Sequence, residues 1–313
     1  MQKCISVLKG VDMKNSGKKK MNVAFCCDDN YLMPASIMIE SLLIHSEDCH
    51  VVVYTFSDDL NDLSVDALKK LVESYDAEIH FLRMPSHAKE LMKNVYLAFE
   101  YLSVTTYYRL LLPYVLDSSV DRILYLDCDV LVKNNPYRYY KALKPDKLIL
   151  GANDIEKKQH SERLGVTEYV NAGVLVMNLR AIRKRYSYET MLYKMKELMS
   201  IPGYLKCGDQ DIINILYQDS IMIAPDYFNY QHVVHKKYIL SNLRQLKKVV
   251  MIHFITEDKP WKGSYLFPFS LEYYHYLRKH QNLLMNLKWW VQKPLGVINI
   301  VKKRKRWEKS KDN

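Results

Sequence analysis

Arg122-Ile123-Leu124-Tyr125-Leu126-Asp127-Cys128-Asp129-Val130 is the stretch from which the rest of the chain can be read. Its apolar run predicts a buried strand, and the run delivers two carboxylates at its C-terminal end. In extended backbone, residues i and i+2 point to the same side, so Asp127 and Asp129 are expected together, with Cα atoms about 6–7 Å apart. Two negative charges held that close call for a cation. Oxygen ligands suit Mg²⁺ or Mn²⁺, which keep open positions for phosphate groups. In open α/β sheets, ligands sit beyond the carboxyl ends of strands. The stretch therefore predicts an α/β sheet with a metal–diphosphate site at its edge. A second Asp-x-Asp, Asp209-Gln210-Asp211, follows Cys207-Gly208 and leads into Ile212-Ile213-Asn214-Ile215-Leu216, where it reads as the opening of a helix.

Outward from that stretch the chain alternates. Met21–Cys27 reads as an apolar strand, and Tyr31–Ser46 has helical periodicity. His50–Phe56 is a β-branched strand, Leu60–Tyr75 a helix and Glu78–Leu82 a third strand. This order predicts parallel pairing with right-handed crossovers. Tyr101–Val115 reads as helical, Leu148–Ala152 as a strand and the polar residues 155–168 as a mobile loop. Tyr169–Met177 reads as a buried strand, 187–200 and 209–217 as helices, and Val249–Phe254 as a short strand.

With 313 residues, 49% of them hydrophobic and only 9 Gly and 10 Pro, the chain is globular rather than fibrous or disordered. That length permits one large domain or two. The net charge of +11 is uneven. Residues 1–20 hold six Lys and one Asp, and residues 288–313 hold nine Lys or Arg and two acids, which leaves 21–287 at −1. A nearly neutral body argues against nucleic acid as a partner. The six cysteines show no C-x-x-C spacing, and Cys26-Cys27 are adjacent within a strand, so reduced thiols and a cytosolic location fit best. No run approaches the roughly 20 apolar residues of a membrane span.

The order of motifs carries more than any one of them. Cys27-Asp28-Asp29-Asn30-Tyr31 follows the first strand, and Thr105-Thr106-Tyr107-Tyr108-Arg109-Leu110 comes before the Asp127/Asp129 pair. Asn171-Ala172-Gly173-Val174, Gly208-Asp209-Gln210-Asp211, His253-Phe254 and Lys259-Pro260-Trp261 complete the series. Over residues 21–262 it resembles glycosyltransferase family 8, retaining enzymes that include bacterial lipopolysaccharide galactosyl- and glucosyltransferases and glycogenin. The resemblance implies a GT-A fold, a Rossmann-like nucleotide-binding half merged with an acceptor-binding half. It also implies a UDP-sugar donor and Mn²⁺, with Mg²⁺ as an alternative. Asp127, Asp129 and His253 match the family's metal ligands. Asp28 and Asn30 would hold the uridine, with backbone contacts from Cys26 and Cys27; the other reading of Asp28 and Asn30 is a helix cap. Cys128, Ala172, Gly173 and Lys259 join the donor-binding set. Arg109 would pair with donor phosphate or sugar, or else form a structural ion pair. Asp154, Asn171, Asp209 and Gln210 match residues around the transferred sugar. Retention requires either a covalent intermediate or same-face attack, and Gln210 is a poor nucleophile, which favours the latter. Where the family has a Gly-containing turn between His253 and Lys259, this chain has Ile255-Thr256-Glu257-Asp258.

The expected organisation is a flexible basic leader over 1–20, a catalytic body over 21–270, and a C-terminal helix and tail over 271–313. Trp289, Trp290 and Trp307 accompany Lys302-Lys303-Arg304-Lys305-Arg306 in that tail. Aromatic and basic residues together suit an anionic bilayer surface; the alternative is a solvated extension. The reading is a peripheral, cytoplasmic-face enzyme taking UDP-galactose or UDP-glucose to a glycan or lipid-linked glycan acceptor. Its competitor is a catalytically inactive GT-A-like subunit that binds UDP-sugar or a partner glycosyltransferase. A nucleotidyltransferase is weaker, since no Gly-rich triphosphate loop follows the first strand.

Overall fold

The computed structural model describes residues 17–56, 58–92, 104–232, 246–255, 259–262 and 269–280. Its first half alternates as the sequence predicts: β1 (Lys19–Phe25), α1 (Leu32–Ile44), β2 (Cys49–Phe56), α2 (Asp62–Glu73), β3 (Glu78–Leu82), α3 (Ser86–Met92). A 3-10 segment, Val104–Leu111, runs into a single α-turn, α4 (Leu112–Val115), and then β4 (Arg122–Leu126) and β5 (Val130–Val132). The second half comprises α5 (Tyr137–Ala142), β6 (Ile149–Asn153), α6 (Lys157–Leu164), β7 (Val170–Asn178), α7 (Leu179–Arg185), α8 (Tyr188–Met199), α9 (Asp209–Tyr217), β8 (Ile221–Ala224), β9 (Tyr230–Gln231), β10 (Met251–His253) and α10 (Ser270–His280).

Seven strands form the main sheet in the order β3-β2-β1-β4-β7-β6-β8, and β5-β10-β9 form a small one. The pairs β1–β2 and β2–β3 are parallel, as expected, and β1–β4 is parallel too. The strand β7 runs antiparallel to both β4 and β6, which the sequence reading did not foresee. Alternation along each strand separates two cores. Ala24, Ile123 and Tyr125 face one side with Leu110 and Leu111, while Val23, Phe25, Leu124 and Leu126 face the other with Met38 and Leu42. Each fully buried aliphatic side chain there is worth about 1.5–3 kcal/mol relative to exposure. Ten of the thirteen residues of α1 are buried, because the helix lies between the sheet and α10 and packs Ile37 with Phe254 and Tyr273.

Local chemistry sets the ends of these elements. The side chain of Asn61 accepts from Ser64 N, that of Asn178 from Ala181 N and that of Ser187 from Thr190 N, each cap worth about 1 kcal/mol.

Several expectations need correction. The first strand starts at Lys19 rather than Met21, so Lys19 and Lys20 belong to the sheet and not to the leader. The helical reading of Tyr101–Val115 holds over its described part, which is mainly 3-10, with Pro113 in the first turn of α4. Residues 155–168 are not a loop. They contain α6, anchored by buried His160 and by Arg163, whose guanidinium pairs with Asp211 at 2.8 Å. The described cysteines Cys26, Cys27, Cys49, Cys128 and Cys207 are free thiols. The expectations for residues 1–16, Thr256-Glu257-Asp258 and 281–313 lie outside the described residues. Among the described residues no helix is long and apolar enough to cross a membrane.

Candidate active site

β1 pairs with β2 on one side and β4 on the other, and a crevice opens at the carboxyl ends where such an order reverses. A cleft of about 340 Å³ lies there. Its lining includes Cys26, Asp28 and Tyr31 after β1, Asp127 and Asp129 after β4, Asn171–Gly173 of β7, Asp209 and Gln210 of α9, and His253 and Lys259.

The acid pair does not sit in extended backbone. β4 ends at Leu126, and Val130 N donates to Asp127 O at 3.2 Å, closing a turn over Asp127–Val130. Asp127 still follows the sheet, since its N–H donates to Gly173 O at 2.8 Å. The turn carries Asp129 toward the small sheet, where Phe254 N donates to Asp129 O at 3.0 Å. The register of β5 on β10 sets Val130 opposite His253. As a result His253 Nε2 lies 3.1 Å from Asp129 Oδ1 and 3.8 Å from Asp127 Oδ2.

One ligand atom from each of Asp127, Asp129 and His253 lies within 4.8 Å of the others. The surroundings fit a cation. Asp129 Oδ1 is buried and makes no hydrogen bond of good geometry, its near neighbour being the His253 Nε2 that would share the ion. The backbone beside it admits no side chain: a Cβ on Gly173 would stand 2.2 Å from His253 Cε1 and 2.5 Å from Asp127 Oδ2. Carboxylates with one imidazole form a donor set suited to Mn²⁺. Burial alone would raise the pKa of Asp129, yet Lys259 and His253 outweigh it and hold the carboxyl well below its usual range. Lys259 is itself buried and gives its ammonium to Asp129 Oδ2 at 2.7 Å.

Arg109 joins this cluster to α9. It is 4% exposed, and its guanidinium reaches Asp127 Oδ1 at 3.1 Å, Asp209 Oδ2 at 2.8 Å and Ala172 O at 2.7 Å. Of the two roles open for it in the sequence, the ion pair is the one seen. Asp209 begins α9 after Gly208, which has φ +56° and whose added Cβ would meet the Tyr107 hydroxyl at 2.9 Å. Burial pushes Asp209 up to about 6, with Asp127 adding to the shift and Arg109 opposing it.

An amide-centred network fixes the next wall. Gln210 Oε1 accepts from Ala172 N at 2.9 Å and from Asn171 Nδ2 at 3.3 Å, while Gln210 Nε2 donates to Asp154 Oδ2 and to the Tyr169 hydroxyl, both at 3.2 Å. Asn171 Nδ2 also donates to Asp154 Oδ2 at 3.2 Å. The Tyr169 hydroxyl donates to Asp211 Oδ1 at 2.5 Å, and Asp211 takes Arg163 through both oxygens. The second Asp-x-Asp is thus divided: Asp209 belongs to the cleft and Asp211 to the scaffold behind it.

The structure therefore brings together Cys26, Asp28, Arg109, Asp127, Cys128, Asp129, Asp154, Asn171, Ala172, Gly173, Asp209, Gln210, His253 and Lys259. Asn30 is exposed and does not line the cleft. Asp28 accepts from Tyr31 N at 3.1 Å as a cap, the other reading given to it above. Cys128 turns its thiol inward to the Cys26 carbonyl. The sequence reading missed Tyr31, Ile155, Glu156, His160, Cys207 and Ile255, which line the cleft. Tyr31 stands one residue beyond Asn30, and its ring meets Trp261 edge-on at 6.1 Å. That spacing gave no signal, because aromatic residues are frequent in this chain, with 25 Tyr.

The family model of "Glycosyl transferase family 8" matches residues 22–264. The chain is similar to a lipopolysaccharide 1,2-glucosyltransferase of Escherichia coli K12, 24% identical over 302 residues, covering 92% of this chain and 84% of the relative. It is also similar to general stress protein A of Bacillus subtilis 168, 23% identical over 270 residues, covering 82% and 93%. Among solved structures, the galactosyltransferase LgtC in complex with donor and acceptor sugar analogues superposes with a TM-score of 0.67 at 21% identity, covering 83% of this chain and 96% of that one.

Proposed function

The chain belongs to glycosyltransferase family 8 and has its GT-A fold, and from that premise we propose that it is a metal-dependent retaining hexosyltransferase. It moves galactose or glucose from a UDP-sugar to a cell-surface glycan acceptor. One observation carries the reading: Asp127, Asp129 and His253 converge in the same cleft as the Asp154–Asn171–Gln210 amide network and Asp209.

A divalent cation, Mn²⁺ by preference, would be held by Asp127, Asp129 and His253 and would neutralise charge on the departing diphosphate as a Lewis acid. Lys259 adds a buried positive charge beside Asp129, placed to meet the same phosphates. Asp28 and Tyr31, which line the cleft just beyond β1, would meet the nucleoside. Gln210, Asn171 and Asp154 hold one another's polar groups and so present fixed donors and acceptors to sugar hydroxyls, the means by which such a site discriminates between donors. The carboxylate beside Gln210 is Asp154, whose Oδ2 takes the Gln210 and Asn171 amides, while Asp209 is paired with Arg109; we read the transfer as same-face substitution. The anomeric carbon's bond to the UDP oxygen breaks, the acceptor oxygen bonds to that carbon on the same face, and the acceptor proton passes to the departing phosphate oxygen.

The test is a screen of UDP-sugars for hydrolysis and transfer by purified protein with Mn²⁺. UDP-galactose or UDP-glucose should turn over, the rate should follow Mn²⁺ concentration and stop with chelator, and His253→Ala should raise the Mn²⁺ requirement. Full turnover in excess EDTA removes the metal from the reading. UDP binding without turnover of any sugar selects the inactive-subunit alternative instead.

Asp209→Asn should lower kcat by about 10²-fold, as expected for one lost polar contact to a reacting sugar, while UDP affinity stays within a few-fold. It should also change the stability profile. A buried carboxyl raised to about 6 contributes stability that is full below its unfolded value and lost as pH rises through about 6. That step should vanish in Asp209→Asn, as read by Tm against pH. Loss of UDP binding equal to the loss of turnover would place Asp209 elsewhere.

Residues 288–313 carry nine basic and two acidic residues with Trp289, Trp290 and Trp307. We place the enzyme at the inner face of the plasma membrane through this segment, where each basic residue is worth about 1 kcal/mol near anionic lipid. Truncation after Lys288 should spare transfer to a water-soluble acceptor and abolish sedimentation with phosphatidylserine vesicles at low salt. Equal sedimentation of the intact and truncated chains would make the tail a solvated extension.

A further inference from the structure

We propose that Tyr125 is a positioning residue for the cation site. Its hydroxyl, together with Arg109, holds Oδ1 of Asp127 and thereby turns Oδ2 toward Asp129 and His253. The inference rests on the metal reading above.

Tyr125 and Asp127 stand two residues apart at the end of β4, so strand alternation sends both toward the same side. The Tyr125 side chain is 1% exposed, and its hydroxyl donates to Asp127 Oδ1 at 3.0 Å. Arg109 Nη2 reaches the same oxygen at 3.1 Å. The hydroxyl's hydrogen bond and the Arg109 ion pair both engage Oδ1, and Oδ2 is the oxygen that faces His253. A hydroxyl has one proton to give, and Tyr125 gives it to Asp127. Arg109 donates from Nε to Thr106 O and from Nη1 to Ala172 O, and it pairs by charge with Asp127 and Asp209.

The aromatic ring has a second use. The Arg109 guanidinium carbon lies 4.4 Å from its centroid, a cation–π contact that seats the arginine over Tyr125. One buried side chain thus places both donors on the same carboxylate oxygen. Without them the Asp127 carboxylate can rotate about its last bond, and the cation must then pay to fix it. Ligating carboxylates are held in this way by outer partners, whose removal costs about 10–100-fold in metal affinity.

Tyr125→Phe isolates the effect, because it keeps the ring under Arg109 and removes only the hydroxyl. Mn²⁺ binding to the full chain, read as loss of the free-ion signal in electron paramagnetic resonance, should weaken about 10–100-fold. Tyr139→Phe is the control. Tyr139 is fully buried, and its one hydroxyl proton lies between the Leu150 and Val174 carbonyls, so loss of the hydroxyl should shift Tm comparably without changing the Mn²⁺ dissociation constant. Equal Mn²⁺ affinity in wild type and Tyr125→Phe overturns the positioning role and leaves the metal reading standing. An equal loss in Tyr139→Phe assigns the effect to packing and also overturns the role. Absence of Mn²⁺ binding by the wild type removes the metal reading, and the inference with it.

Discussion

Asp127→Asn and Asp129→Asn will each lower kcat/KM by about 10³-fold or more while leaving a folded protein. The size follows from the charge removed. Loss of one preorganised electrostatic contact to a transition state costs about 10²–10³-fold, and a metal ligand supports the whole ion. A thousandfold loss corresponds to about 4 kcal/mol of transition-state stabilisation. The fold should survive because Asn keeps an oxygen for the neighbouring donors. At position 127 these are Tyr125 and Arg109, and at 129 the ammonium of Lys259. Neither cation is stranded: Arg109 retains Asp209 and Ala172 O, and Lys259 retains Phe254 O. Both variants should therefore unfold within a few degrees of wild type and bind Mn²⁺ poorly. Transfer assays beside circular dichroism melts decide it. A well-folded Asp127→Asn enzyme with normal turnover would remove the metal assignment.

The parts of the fold legible in the sequence are those set by local pattern. The apolar runs of β1, β2 and β4, and the periodicity of α1 and α2, announce themselves within a few residues. The direction of β7 does not. Its nine residues are buried but for Asn178 at the end, and a strand covered on both faces reads as a continuous apolar run whichever way its neighbours point. The helix α6 was hidden for a different reason. Lys157–Leu164 has little apolar surface, because its inward contacts are polar: His160 stacks near Tyr169 and Arg163 reaches Asp211. A helix anchored by charge looks like a loop to any reading based on hydrophobic spacing.

The site divides along the same line. Carboxylates at a strand end are visible in sequence, and the series of motifs brought His253 and Lys259 to them. What the sequence does not carry is which charges are already answered. Asp209 and Asp211 share a spelling with Asp127 and Asp129, but on a helix two residues turn about 200°. One therefore faces the cleft and the other is buried against Arg163. Asp127 and Asp129 converge for yet another reason, the turn closed by Val130 N, rather than the strand alternation that first suggested them. The same residue pair is brought together by a route the one-dimensional pattern does not encode. Arg109, visible as a cation near the site, is committed to two carboxylates and two carbonyls, and two of these contacts, to Ala172 and Asp209, span more than sixty positions of sequence.

Gly173→Ala should lower transfer about 10²-fold, although it removes no polar atom. The position lies in β7, opposite the end of β4, and its carbonyl accepts from Asp127 N. Its backbone is not in the left-handed region, so alanine brings no conformational strain of its own. The obstacle is space. The added Cβ would stand 2.2 Å from His253 Cε1, 2.8 Å from His253 Nε2 and 2.5 Å from Asp127 Oδ2. No rotamer of alanine relieves this, so the imidazole and the carboxylate must move. Both are hemmed in, His253 by its place in the small sheet and Asp127 by Tyr125 and Arg109. Inserting a methyl into so close a contact costs about 1–3 kcal/mol of stability, which a chain of this size can absorb. The larger effect is functional, because a ligand displaced by an ångström no longer shares an ion with its partners, and misplacement on that scale costs about 10²-fold. Gly173→Ala is therefore expected to remain folded, with Tm lowered by several degrees, and to lose both Mn²⁺ affinity and transfer. Gly151→Ala supplies the comparison: its Cβ would crowd Leu175 and Val170 in the core, at 2.8 and 3.0 Å, so it should lower Tm to a similar extent and leave Mn²⁺ binding intact. Retained Mn²⁺ affinity in Gly173→Ala, at a Tm as low as that of Gly151→Ala, would mean that the ion does not sit against this strand.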